Sequence, residues 1–133
     1  MPNPTVTSRA ILVIDDNEGL LEILNAKLTA DGYRVTTAAN GQDAAEELVR
    51  ERFDFVLTDW FMPGKDGLEL LREIYKSYPT LPVVVMSGGG SKVSAAQSMG
   101  AARLLGAVAV LVKPFSDEQL RLAIASALPQ LPS

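Results

Sequence analysis

Three solid apolar runs constrain this chain more than anything else in it: Ile11-Leu12-Val13-Ile14, Val83-Val84-Val85-Met86 and Val108-Ala109-Val110-Leu111-Val112. A strand with one wet face alternates apolar and polar residues. A run with no polar member must be buried on both faces, as in a parallel sheet covered by helices. A fourth strand, Phe55-Val56-Leu57-Thr58, and a fifth around Arg34–Ala38 complete the set. Segments of helical period lie between them. Leu20, Leu21, Ile23, Leu24 and Leu28 form the first stripe, closed by Gly32. Asn40 is placed to cap a second helix carrying Ala44, Ala45, Leu48 and Val49. Met62-Pro63-Gly64 is a turn signal. Asp66 and Glu69 fit a capping box for a third helix with Leu68, Leu71, Ile74, Tyr75 and Tyr78, which Pro79 and Pro82 end. A fourth helix is expected from about Lys92 to Leu105, stopped by Gly106. Ser116 and Gln119 fit a last capping box, with Leu120, Ile124 and Leu128 on one face. The order is (βα)5, which predicts an open parallel sheet with helices on both sides and right-handed crossovers.

The 133 residues make one folded unit, expected over 9–128, between a tail at 1–8 and another at 129–133. The net charge of −4 and the lack of a basic cluster argue against binding nucleic acid through bulk electrostatics. With no Cys there are no disulfides, thiolate metal sites or cysteine nucleophiles. With no His there is no Ser-His triad, no His-ligated zinc and no phosphohistidine within the chain. No stretch is long enough to span a membrane and no signal-peptide pattern opens the chain, so cytoplasmic residence is the expectation.

Five polar residues stand at or just past the ends of the apolar runs: Asp15, Asp16, Asp59, Ser87 and Lys113. In open α/β sheets ligands bind beyond the carboxyl ends of the strands, where strand order reverses. A five-stranded sheet ordered 2-1-3-4-5, one of the common doubly wound orders, would put that point between the first and third strands and gather all five residues there. Three crowded carboxylates repel unless a cation compensates them. Mg2+ takes oxygen ligands, and a carboxylate can then attack phosphorus to form an aspartyl phosphate, with Lys113 and the metal neutralising the phosphoryl oxygens. Ser87 could donate a hydrogen bond to one of those oxygens. Taken singly, Asp15–Asp16 also fits a solvated turn and helix cap, Asp59 a strand-end carboxylate, Ser87 an ordinary strand end and Lys113 a surface lysine. Gly88–Gly90 lacks a Walker pattern and fits a loop. Trp60 and Phe61 fit either partner anchors or rim packing. Val93, Ala95, Ala96, Ala101 and Ala102 make a small-residue packing face.

Four stretches in order carry a family resemblance. They are Val13-Ile14-Asp15-Asp16-Asn17, Leu57 through Gly67, Val85-Met86-Ser87-Gly88 and Leu111-Val112-Lys113-Pro114-Phe115. Together they resemble the receiver domain of bacterial two-component response regulators over residues about 10–128. The resemblance implies a flavodoxin-like (βα)5 three-layer sandwich of a chemotaxis-receiver-like, single-domain kind. It implies Asp59 as phosphoacceptor and Mg2+ held by Asp15, Asp16, Asp59 and the backbone carbonyl of Phe61. It assigns Ser87 and Lys113 to the phosphoryl group and a cis bond to Lys113–Pro114. A histidine kinase or histidine phosphotransfer protein would supply the phosphoryl group, which fits a chain without His. Phosphorylation would shift a pre-existing equilibrium and be read by a protein target at the fourth helix, fifth strand and fifth helix, by a monomer or weak dimer, without a membrane or nucleic-acid partner. The chain stops about five residues past the last helix, so it either acts by docking or is part of a longer chain.

Three positions depart from the family pattern. Val110 stands where a switch aromatic is usual. Ser87 and Lys113 are 26 residues apart, about one helical turn more than expected. Phe61 and Gly89 flank the pocket where polar side chains often occur, which bears on the lifetime of the phosphorylated state. Competing functions are a degenerate receiver that binds partners without phosphorylation and a Mg2+-dependent phosphatase. The phosphatase would want an acid two residues after its nucleophile, where Phe61 stands, so the chain is expected not to be an enzyme. Flavin binding lacks a hydroxyl-rich phosphate loop after the first strand.

Overall fold

The structure, a computed structural model, describes residues 9–59, 67–88 and 106–127. The elements are β1 (Ala10–Ile14), α1 (Glu18–Ala30), β2 (Arg34–Ala38), α2 (Gly41–Arg50), β3 (Phe55–Asp59), α3 (Gly67–Ser77), β4 (Val83–Gly88), β5 (Ala109–Lys113) and α4 (Asp117–Ala127). Here α4 is the helix expected fifth from the sequence. The expected fourth, from about Lys92 to Leu105, lies outside the described residues, as do both tails, Asp66 and Leu128. All strand pairs are parallel and the sheet order is β2-β1-β3-β4-β5.

The solid apolar runs of β1 and β4 are buried on both faces, and alternate residues feed two cores. Ala10, Leu12 and Ile14 of β1 join Val56, Val83 and Val85 beneath Ala44 and Leu48 of α2 and Leu70, Leu71 and Ile74 of α3. Ile11 and Val13 join Phe55, Leu57, Val84 and Met86 beneath Leu21, Leu24 and Leu28 of α1 and Leu120, Ala123 and Ile124 of α4. Each inner-strand side chain leaves water almost completely, worth about 1.5–3 kcal/mol apiece for the larger ones. The β5 run differs from the expectation of burial on both faces. It is an edge strand that begins at Ala109, and Val108 and Val112 keep 42% and 38% of their surface exposed.

Local signals set the helix ends. Asn40 accepts from the Asp43 N–H at 2.8 Å and opens α2. Ser116 and Gln119 close a reciprocal box, the Gln119 N–H donating to Ser116 Oγ at 3.1 Å and the Ser116 N–H to Gln119 Oε1 at 2.8 Å. Gly32 takes φ +100°, the left-handed conformation that lets the chain turn after α1. The buried helical stripes are slightly narrower than expected. Ile23, Val49 and Tyr75 are 60%, 83% and 60% exposed, while Leu70, outside the expected stripe, is fully buried.

Candidate functional site

Parallel pairing fixes which strand ends meet. β1 ends at Ile14 beside Thr58, so Asp15 and Asp59 emerge at the same edge of the two central strands. Asp59 sits opposite Met86, one residue before Ser87, and Lys113 lies opposite Gly88. The reversal of strand order between β1 and β3 opens a crevice at that edge.

Lys113 reaches into this crevice and bridges two carboxylates. Its Nζ donates to Asp15 Oδ2 at 2.7 Å and to Asp59 Oδ1 at 3.1 Å. Asp15 is 1% exposed and Asp59 7% exposed, so the pairs are shielded and strong. Burial pulls the Lys113 ammonium toward neutrality, but the hydrogen bond to Asp15 and the charge and hydrogen bond of Asp59 outweigh it and hold its pKa above the ordinary value. The Lys113–Pro114 peptide is cis. Both Asp15 oxygens accept a bond, because Oδ1 also accepts from the Asn17 N–H at 2.9 Å. Asp16 points into solvent. Even so, one oxygen from each of Asp15, Asp16 and Asp59 lies within 4.8 Å of the others.

Ser87 is fully buried, and its hydroxyl has no hydrogen-bond partner among the described residues. A buried polar group in that state is uncommon and is free to bond an incoming acceptor. Thr58, also fully buried, donates instead to the Asp59 carbonyl at 3.1 Å, which ties the β3 end locally. Val110 is half-buried and packs against the core beneath α2 and α3. Trp60, Phe61, Gly89, Gly90 and the small-residue helix face lie outside the described residues.

Two features were missed in the sequence. Asn17, not the acidic pair, caps α1: its side chain accepts from the Leu20 N–H at 3.1 Å. Asn is a preferred capping residue, so this signal was present but overshadowed by its acidic neighbours. Beside the crevice lies a hollow of about 860 Å³ between α1 and the segment after β5, lined by Asn17, Gly19, Leu20, Ile23, Leu24, Lys27, Lys113, Pro114 and Phe115. Lys27 and Asp117 form an ion pair that joins α1 to α4. No helix of the described residues is long and apolar enough to cross a membrane.

Known proteins share this fold. Residues 11–125 match the response regulator receiver domain family. The chain is 38% identical over 120 residues to the transcriptional regulatory protein GlrR of Escherichia coli strain K12, a match covering 90% of this chain. It is 38% identical over 118 residues to the transcriptional regulatory protein ZraR of Klebsiella oxytoca, covering 89% of this chain. It spans 26% of the length of each of these two relatives. Among solved structures, the receiver domain of NtrX from Brucella abortus superimposes with a TM-score of 0.83 at 32% identity, covering 91% of this chain and 99% of that one. A response regulator receiver domain protein from Clostridium thermocellum does so with a TM-score of 0.83 at 31% identity, covering 92% and 95%. With its sheet order, its carboxylate crevice and a family match over nearly all of its length, the chain belongs to the response regulator receiver domain family of two-component systems.

Proposed function

We propose that this chain is a phosphoacceptor switch, with Asp59 taking a phosphoryl group from a phosphohistidine on a partner kinase or phosphotransfer protein. The observation that carries this reading is the Lys113 ammonium held between buried Asp15 and Asp59 at 2.7 and 3.1 Å. A carboxylate oxygen of Asp59 attacks phosphorus. The P–N bond to the partner's imidazole breaks, the electron pair stays on the ring nitrogen, and that nitrogen takes up a proton. Lys113 stands where the phosphoryl oxygens arrive and offsets their charge. The Ser87 hydroxyl, without a partner among the described residues, has a proton to donate to one of them.

The donor set suits Mg2+. It is all oxygen, and three carboxylates facing one ammonium retain a negative surplus that a hard divalent cation would balance. Asp15, Asp16 and Asp59 would hold it, with the backbone carbonyl of Phe61 assigned by family resemblance. Once bound, it would supply charge neutralisation of the phosphoryl oxygens. The hollow beside Phe115 adjoins Lys113 and has room for an apolar partner surface presenting its phosphohistidine. The output is a changed docking surface on the segment 92–105, β5 and α4, read by a protein target. The chain acts as a cytoplasmic relay component whose only chemistry is its own phosphorylation and dephosphorylation.

Incubation with acetyl phosphate and Mg2+, followed by intact mass spectrometry, tests this. A single phosphoryl adduct, absent in Asp59→Asn, is expected. No adduct at any Mg2+ concentration would favour a phosphorylation-independent interaction module, and sustained phosphate release from varied monoesters would favour a phosphatase.

A further inference from the structure

The path to Lys113 begins at Asn17, whose hydrogen bonds run to Asp15, Leu20 and Leu21. Asn17 is fixed on both sides. Its carbonyl accepts from the Leu21 N–H at 3.0 Å and its side-chain oxygen from the Leu20 N–H at 3.1 Å, which locks it to the first turn of α1. Its own N–H then points back and holds Asp15 Oδ1 at 2.9 Å. With one oxygen anchored, Asp15 offers the other to Lys113 at 2.7 Å, a shorter bond than the lysine makes to Asp59 at 3.1 Å. Asp15 is further tied through its own N–H to the Ala38 carbonyl at 3.1 Å. The lysine is therefore aimed by Asp15, and Asp15 by the capped turn.

We propose that Asn17 is a positioning residue for phosphoryl transfer, acting through Asp15 to set where the Lys113 ammonium stands before Asp59 attacks phosphorus. The step it serves rests on Asp59 being the phosphoacceptor. The relay itself is a property of the resting site. A side chain that cannot cap would let the Asp15-Asp16-Asn17 turn loosen, and the Asn17 N–H would hold Asp15 for less of the time. Asn17→Ser keeps a capping oxygen; Asn17→Ala does not.

The test uses the intact chain labelled with 15N-lysine, with the Lys113 ammonium observed by NMR at low temperature. A restrained, doubly bonded ammonium exchanges slowly enough to give its own signal. The signal is expected in the wild type and in Asn17→Ser, and to broaden away in Asn17→Ala, with the backbone amides of α2 and α3 unmoved in both. Adduct formation from acetyl phosphate is expected to slow about five-fold in Asn17→Ala, the scale of losing one cap, and to recover in Asn17→Ser. An unchanged Lys113 signal in Asn17→Ala, with only the α1 amides shifted, would overturn the relay. If instead the wild type shows the signal and the Asn17→Ala loss but takes no phosphoryl adduct, the relay stands and the phosphoacceptor reading fails.

Discussion

Two turns in this molecule are built from the same parts and do different work. At the end of β1 the chain runs through Asp15 and Asp16 to Asn17, which caps α1. At the end of β2 it runs through Ala39 to Asn40, which caps α2. Both asparagines have extended backbone, and both accept from an N–H three residues on, at 3.1 and 2.8 Å. The Asn17 turn adds a backbone bond to a buried carboxylate, whereas Asn40 uses its amide nitrogen on Asp43 of its own helix. What separates them is sheet position. β1 lies beside β3, where the order reverses, and β2 is the edge. Local chemistry makes a cap in either place, and the topology decides which cap faces a site.

The largest effect that would sharpen this contrast is expected from Lys113→Met. It removes the cation between two buried carboxylates and leaves them facing each other, so a loss of about 3 kcal/mol in urea unfolding is expected. Added Mg2+ should restore part of it, because a second cation can take over the compensation. The pH dependence has a definite sign. The folded pKa of Lys113 lies above its ordinary value of 10.5, so its stabilisation is full below about pH 10.5 and is lost as pH rises through the folded value. Alkaline unfolding should therefore include a step in the wild type that Lys113→Met lacks. Equal alkaline profiles would mean that Lys113 is not held as described.

The site's position was legible in the sequence because each apolar run stops at the carboxyl end of its strand, and the polar residue that follows lies at the crevice. Asp15, Asp59, Ser87 and Lys113 are those residues, and sheet order brought them together. The capping box of the last helix was legible for a local reason: Ser116 and Gln119 need only each other. Three features were not legible. The edge exposure of Val108 and Val112 follows from sheet order, to which a solid apolar run is silent. The outward turn of Val49 and Ile23 depends on how much of each helix its neighbours cover. The engagement of both Asp15 oxygens depends on a backbone N–H two residues on and a lysine 98 residues away. Composition points to neither.

A smaller effect compares the caps directly. Asn17→Ala and Asn40→Ala should each lower stability by about 1 kcal/mol, since each removes one side-chain bond to an orphan helix N–H. Denaturant midpoints should therefore shift together, while acetyl phosphate labelling slows only for Asn17→Ala. Equal labelling defects in the two variants would show that the loss runs through global stability, and the distinction between the turns would collapse.

The smallest effect is expected at the sheet edge, where an ion pair has the same charges as the site and almost none of its consequence. Arg34 on β2 meets Glu51 at 3.4 Å with 59% of its side chain exposed. Water screens that pair and the arginine loses rotamer freedom to form it, so Arg34→Ala should change stability by less than about 1 kcal/mol. The change should fade further in 1 M salt, where the screening length falls to about 3 Å. Lys113, with 24% of its side chain exposed and a partner at 1%, should keep most of its contribution in the same salt. Measuring both variants at low and high salt separates a charge pair that the fold has buried from one that it has left in water. If the Lys113 contribution screened away as readily as that of Arg34, the crevice would be open to solvent at the Asp15 end, and shielding by the central strands could not be what strengthens it.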